Sequence, residues 1–132
     1  MTQSQAQDRI LIVDDEQPLL KMMSVYLARL GYAVATADTT DKAWEEANTA
    51  EPRFSVAVLD ASMTGLSMES LAVRMLQANP SLRVIAASGY PVEMTAIETA
   101  APGRVTFLPK PFTPQMLAKA VKRMIAPEKE SL

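Results

Sequence analysis

Histidine and cysteine are both absent from this chain, so any chemistry it performs has to be built from carboxylates, hydroxyls and amines. The same absence excludes a disulfide framework, a thiolate zinc site, a cysteine nucleophile and an internal phosphohistidine. The side chains that remain recur at one kind of place, directly after short apolar runs. Asp14, Asp15 and Glu16 follow the run 10–13, Asp60 follows 54–59, Ser88-Gly89-Tyr90 follow 82–87, and Lys110 stands between Pro109 and Pro111 after 105–108.

Taken singly, each has a plain structural explanation. Asp15 could cap a helix that begins near Pro18, because Asp is a favoured N-cap and Pro a favoured first-turn residue. Asp60 could be a turn residue, Ser88-Gly89 an ordinary strand-to-helix loop, and Lys110 a solvated loop lysine. Their conjunction at the same ends of neighbouring strands is another matter. Carboxylates held together repel and raise one another's pKa, so a fold keeps them there only where a cation or a function compensates. Oxygen ligands without His or Cys suit a hard divalent ion, and Mg2+ takes one or two carboxylates with waters and a phosphate oxygen. That points to phosphoryl chemistry.

The elements that must hold these residues follow from periodicity. The run 10–13 is β-branched and continuously apolar, which suits a strand covered on both faces. Residues 18–30 carry Leu20, Met23, Leu27 and Leu30 at helical spacing, and Gly31 stands where that helix should stop. Residues 32–36 read as a short strand and 39–50 as a helix with Ala43, Trp44 and Ala47 inward, punctuated by Pro52. A strand follows at 54–59, then a helix at 66–78 whose core face is Met68, Leu71, Ala72, Met75 and Leu76, broken by Asn79-Pro80. A fourth strand at 82–87, a weaker helix at 91–100, a fifth strand at 105–108 and a helix at 113–125 with Leu117, Val121 and Met124 inward complete the series. Five strands alternating with five helices through short connections predict a doubly wound parallel sheet, (βα)5, in a three-layer α/β/α sandwich. In such a sheet ligands bind beyond the carboxyl ends of the strands, where the acids, Ser88 and Lys110 all fall.

A chain of 132 residues, 48% apolar with a formal net charge of −2, suits one globular domain that buries a core without staples. That domain is expected at 9–126, between polar tails at 1–8 and 127–132. Lys and Arg are scattered, which argues against a nucleic-acid-binding surface. The polar start lacks the apolar core of a signal peptide, and no later apolar run is long enough to span a bilayer, so a cytoplasmic chain without membrane insertion is expected.

Four segments, Ile-Leu-Ile-Val-Asp-Asp-Glu, Val-Leu-Asp-Ala-Ser-Met, Ala-Ser-Gly-Tyr and Phe-Leu-Pro-Lys-Pro-Phe, stand in order at the ends of the expected strands. Together they resemble the receiver domain of two-component response regulators over about residues 9–125. The resemblance implies a flavodoxin-like strand order 2-1-3-4-5. It makes Asp60 the match for the aspartate that accepts a phosphoryl group from a phosphohistidine on a histidine kinase or histidine phosphotransfer protein. Asp15 and Asp60 match carboxylates that bind Mg2+ directly, with the backbone carbonyl of Ser62 as a further ligand and Asp14 acting largely through water. Lys110 matches the lysine that pairs with a phosphoryl oxygen, Ser88 the hydroxyl that hydrogen-bonds to it, and Phe107 the aromatic switch. The Lys110-Pro111 peptide is expected to be cis. The implied output is a protein–protein surface made by the fourth helix, fifth strand and fifth helix, read by a downstream protein target. Such a chain is no enzyme in the ordinary sense and catalyses only its own phosphorylation and dephosphorylation.

Two positions depart from the family pattern: Thr64 follows Met63 where a proline is usual, and Met68 occupies the later glycine position. Tyr90, two beyond Ser88, puts a ring near the phosphorylation site. Seven residues follow the last helix, so output through docking rather than an attached effector is expected. A natural single-domain regulator and a receiver from a hybrid histidine kinase both stay open. A flavin or dinucleotide site is disfavoured because the first loop is acidic and the four glycines are isolated. The remaining alternative is a receiver fold that acts as an interaction module without phosphorylation, and the joint presence of Asp14, Asp15, Asp60, Ser88 and Lys110 argues against it. With no histidine of its own, the chain needs a donor on another domain or protein.

Overall fold

The computed structural model describes residues 8–50, 53–63 and 67–126. The expected tails, apart from Asp8, and the positions Pro52, Thr64, Gly65 and Leu66 lie outside these described residues. The elements are β1 (Arg9–Val13), α1 (Gln17–Arg29), β2 (Ala33–Ala37), α2 (Thr40–Thr49), β3 (Val56–Asp60), α3 (Met68–Ala78), β4 (Arg83–Ser88), α4 (Thr95–Ala100), β5 (Val105–Pro109) and α5 (Pro114–Ile125). All strands pair in parallel in the order β2-β1-β3-β4-β5, the doubly wound topology expected from the alternation of patterns.

Continuous apolarity in the central strands reflects two cores, one on each face of the sheet. Ile10, Ile12, Val56, Val58 and Ile85 meet Leu20, Met23 and Leu27 of α1 and Leu117, Val121 and Met124 of α5. The alternate residues Leu11, Val13, Ala57, Leu59, Val84 and Ala86 meet Ala43 of α2, the Met68, Leu71, Ala72, Met75 and Leu76 face of α3, and Ile97 of α4. The period of two along each strand divides its side chains between these layers. Edge strand β2 is half-buried from Ala33 to Ala35, with Thr36 exposed and Ala37 buried.

Helix ends follow their local chemistry. The hydroxyls of Thr39, Ser67 and Thr113 accept the N–H groups of Lys42, Ser70 and Met116 as N-caps of α2, α3 and α5. Gly31 adopts a φ of 103°, the left-handed turn after α1 that a Cβ would oppose. Leu30, expected on the inner stripe, is instead 53% exposed, because α1 ends at Arg29 and the chain has begun its turn.

The helix expected at 91–100 is corrected more substantially, since α4 begins at Thr95. Its first-turn donors are taken from outside: the Glu93 carboxylate accepts both the N–H and the hydroxyl of Thr95. Only Ile97 of this short helix is fully buried. Asp60 and Ser88 are also the last residues of their strands rather than the first after them, because the ladder runs on through Asp60↔Ala87 and Ser88↔Pro109.

At the opposite edge of the sheet the carboxyl end of α3 is held by two guanidinium groups. Arg104, just before β5, donates from Nε to the Leu82 carbonyl (2.9 Å) and from Nη2 to the carbonyls of Leu76 (3.1 Å) and Asn79 (2.7 Å). Arg53 donates to the Ala78 carbonyl at 2.6 Å. Cations there satisfy carbonyls that the helix leaves unpaired and complement its dipole. Replacing Arg104 by Ala is expected to destabilise the fold by about 2 kcal/mol, lowering the melting temperature by roughly 5–10 °C; thermal melts of the two proteins check this.

Candidate functional site

The carboxyl ends of β1, β3, β4 and β5 carry the residues singled out by type and spacing. Asp14, just past β1, is 2% exposed and its N–H donates to the Ala37 carbonyl at 3.1 Å. Its Oδ1 accepts the Glu16 N–H at 2.9 Å, and its Oδ2 lies 3.4 Å from Lys110 Nζ. Asp60, 5% exposed, places Oδ1 3.3 Å from the same ammonium. Asp15 is exposed, yet one oxygen from each of Asp14, Asp15 and Asp60 falls within 4.8 Å of the others. Lys110 is no solvated loop lysine: its side chain is 21% exposed and bridges two buried carboxylates. The peptide joining it to Pro111 is cis, as expected.

The plain explanations fare unevenly. Asp15 does not cap α1, whose N-cap is Glu16 without a side-chain hydrogen bond. Asp60 does act in a turn, accepting the Ser62 N–H at 3.2 Å, while also belonging to the acidic cluster. Ser88 is 1% exposed; its carbonyl accepts the Lys110 N–H at 2.7 Å and its hydroxyl accepts the Tyr90 N–H at 3.2 Å. Two of these contacts went unforeseen. The Ser62 hydroxyl lies 3.0 Å from both oxygens of Asp60, and the Tyr90 N–H anchors Ser88. The Asp-x-Ser spacing, a turn signature, was the available signal for the first.

Burial pushes the pKa of the Asp14 carboxyl up, with Asp60 adding to it and the Glu16 N–H and Lys110 opposing. Burial acts to lower the pKa of Lys110, but Asp14 and Asp60 outweigh it and the net shift is upward, keeping the side chain an ammonium. Three carboxylates against this one ammonium leave two negative charges, the charge of one divalent cation. The donors are all oxygen, as a hard ion requires, and one from each carboxylate lies within 4.8 Å of the others. The residues present fit that ion.

Phe107 on β5 is half-buried and borders three spaces. One is a cavity of about 240 Å³ shared with Ser88, Tyr90 and Pro91. The second is a groove of about 700 Å³ along α4 with Met94, Glu98 and Val105, and the third a groove of about 280 Å³ along α5 with Met116, Lys119 and Arg123. Met68, at the first turn of α3, is buried in the core.

A family model for the response regulator receiver domain matches residues 10–122. The chain belongs to that family. It is 33% identical over 125 residues to the alginate biosynthesis transcriptional regulatory protein AlgB of Pseudomonas aeruginosa, covering 94% of this chain and 27% of that protein. It is 29% identical over 116 residues to the DNA-binding transcriptional regulator NtrC of Azospirillum brasilense, covering 88% of this chain and 24% of NtrC. The receiver therefore spans about a quarter of the length of these relatives. Among solved structures, a CheY-like response regulator receiver domain protein from Methanospirillum hungatei JF-1 superposes with a TM-score of 0.84 at 22% identity, covering 96% of this chain and 100% of that one. Receiver domains bind Mg2+ at an acidic Asp cluster, and Asp14, Asp15 and Asp60 form one here.

The raised pKa of Asp14 has a testable sign. A carboxyl that holds its proton more tightly folded than unfolded opposes folding once ionised; the penalty is absent below the unfolded value near 3.8, grows as pH rises through the folded value, and is complete above it. Asp14→Asn is therefore expected to melt higher than the parent at neutral pH in chelator, with the gap closing below about pH 4. Melts across that range check it.

Proposed function

We propose that this receiver takes a phosphoryl group onto Asp60 from a phosphohistidine on a partner histidine kinase or histidine phosphotransfer protein, in a Mg2+-dependent reaction. The observation that carries this reading is Lys110 bridging two buried carboxylates, with the exposed Asp15 completing a cluster of divalent charge. Asp14, Asp15 and Asp60, with the backbone carbonyl of Ser62, are the groups to hold the ion. When bound, it neutralises negative charge on the transferring phosphoryl group.

Transfer joins an Asp60 oxygen to phosphorus as the bond from phosphorus to the donor's imidazole nitrogen breaks, and that nitrogen leaves with the electron pair. Attack by one anion on another is electrostatically opposed. Lys110, fixed as an ammonium at 3.3 Å from Asp60, is placed to offset charge on the incoming phosphoryl oxygens. The β3 ladder holds the nucleophile at the end of a strand buried throughout, so positioning is supplied by the sheet.

The acyl phosphate adds a strongly charged group beside Ser88, whose hydroxyl can be drawn to it and away from the Tyr90 N–H. Phe107 shares the adjoining cavity and has no hydroxyl to desolvate when its ring turns inward. Coupling of ~1–3 kcal/mol suffices to shift such a two-state element. The output surface is then the α4-β5-α5 face, where Phe107 reaches both grooves and α4 is anchored by the single fully buried Ile97. A downstream protein target reads that face. Among the described residues no helix is long and apolar enough to cross a membrane, in keeping with work beside a kinase domain in the cytoplasm.

Incubation with a small phosphodonor and Mg2+ is expected to add the mass of one phosphoryl group, lost in Asp60→Asn and strongly reduced in Lys110→Ala. A folded chain that gains no such mass is an interaction module working without phosphorylation. Tyr90, whose ring borders the Ser88 cavity, shields the acyl phosphate from water in this reading. Tyr90→Ala should therefore shorten the life of the phosphorylated chain by a few-fold, measured as phosphate release after the donor is removed; an unchanged lifetime removes the shielding role.

A further inference from the structure

We infer that the Ser62 hydroxyl is a displaceable latch on Asp60, a positioning residue that occupies both carboxylate oxygens until a divalent cation claims them. The inference rests on the assignment of Asp60 as phosphoacceptor.

The geometry is specific. Ser62 Oγ lies 3.0 Å from Asp60 Oδ1 and 3.0 Å from Oδ2. A serine hydroxyl carries one proton, so that proton is shared across the outer edge of the carboxylate. Oδ1 has two further donors, the Ser62 N–H at 3.2 Å and the Lys110 ammonium at 3.3 Å. For Oδ2 the donor among the described residues is the Ser62 hydroxyl. The hydroxyl thus spans both oxygens of the carboxylate that a cation would have to share.

The two partners differ in freedom. Asp60 is buried at the end of a fully buried strand, whereas Ser62 is exposed. Its hydroxyl can turn to water, while the carboxylate stays where the sheet puts it. A cation sharing Asp60 with Asp14 and Asp15 takes lone pairs that the hydroxyl now uses, and it repels the positive end of the O–H dipole. Binding and latching therefore compete in this rotamer. The latch is built locally, because the Ser62 N–H also donates to Asp60 Oδ1 and holds the two residues in one turn. Alanine keeps that backbone turn and loses only the hydroxyl.

The test is a Mg2+ titration of the full chain and of Ser62→Ala and Ser62→Thr, read by calorimetry and by thermal shift. Ser62→Ala is expected to bind Mg2+ about three- to tenfold more tightly, because a hydrogen bond to an ionised group no longer has to be exchanged. Ser62→Thr retains the hydroxyl and is expected to bind as the parent does. Equal or weaker binding by Ser62→Ala overturns the latch while leaving the acidic site intact. A parent chain that binds no Mg2+, or whose binding survives Asp60→Asn, overturns the proposed function and the latch together.

Discussion

Everything at the working edge of this protein depends on keeping carboxylates close together out of bulk water. Asp14 and Asp60 are both nearly inaccessible, and the upward shift of Asp14 records the strain that burial and its neighbour impose. Lys110 is the internal answer, one ammonium within 3.4 Å of both carboxylates. It leaves the cluster with two uncompensated negative charges once Asp15 is counted, a balance that a divalent cation would complete. The same imbalance that makes the edge unfavourable by itself is what a hard divalent cation would relieve.

The sheet makes that arrangement possible. Parallel strands deliver their carboxyl ends to one side, and the register pairs Val13 with Leu59, Asp60 with Ala87 and Ser88 with Pro109. Asp14, Asp60, Ser88 and Lys110 are therefore one step or none from a paired strand position, with two cores behind them. Loops contribute little to the precision of Asp60 or Ser88, since both still belong to the ladder. Rigidity is concentrated where charge has to be positioned, and the guanidinium clamp on α3 at the far edge extends it through the layer beneath β3 and β4.

Looser construction begins at β4's exit. The chain from Gly89 to Met94 is not helical, α4 is six residues long, and its fully buried anchor is one isoleucine. Few buried contacts mean a low cost for local rearrangement. Phe107 lines both the groove along this region and the Ser88 cavity. A tightly held strand end and a loosely anchored helix thus adjoin.

Much of this was legible in the residues alone. Alternating apolar runs and helical stripes determined the (βα)5 sandwich, because two-sided burial of parallel strands leaves few other patterns. The recurrence of acidic residues, Ser88 and Lys110 at strand ends located the candidate site at one edge of the sheet, because parallel strands bring those ends together. Tertiary structure decided what depends on distance across the chain or on competition for a hydrogen bond. Lys110 and Asp14 are 96 positions apart, and only folding shows that one ammonium serves two acids. The start of α4 was decided by the Glu93 carboxylate taking Thr95's donors, the outward turn of Leu30 by where α1 ends, and the Ser62 contact by a turn that places one hydroxyl over both oxygens of Asp60. Periodicity reports which face is buried; it is blind to which of several nearby donors an acceptor takes.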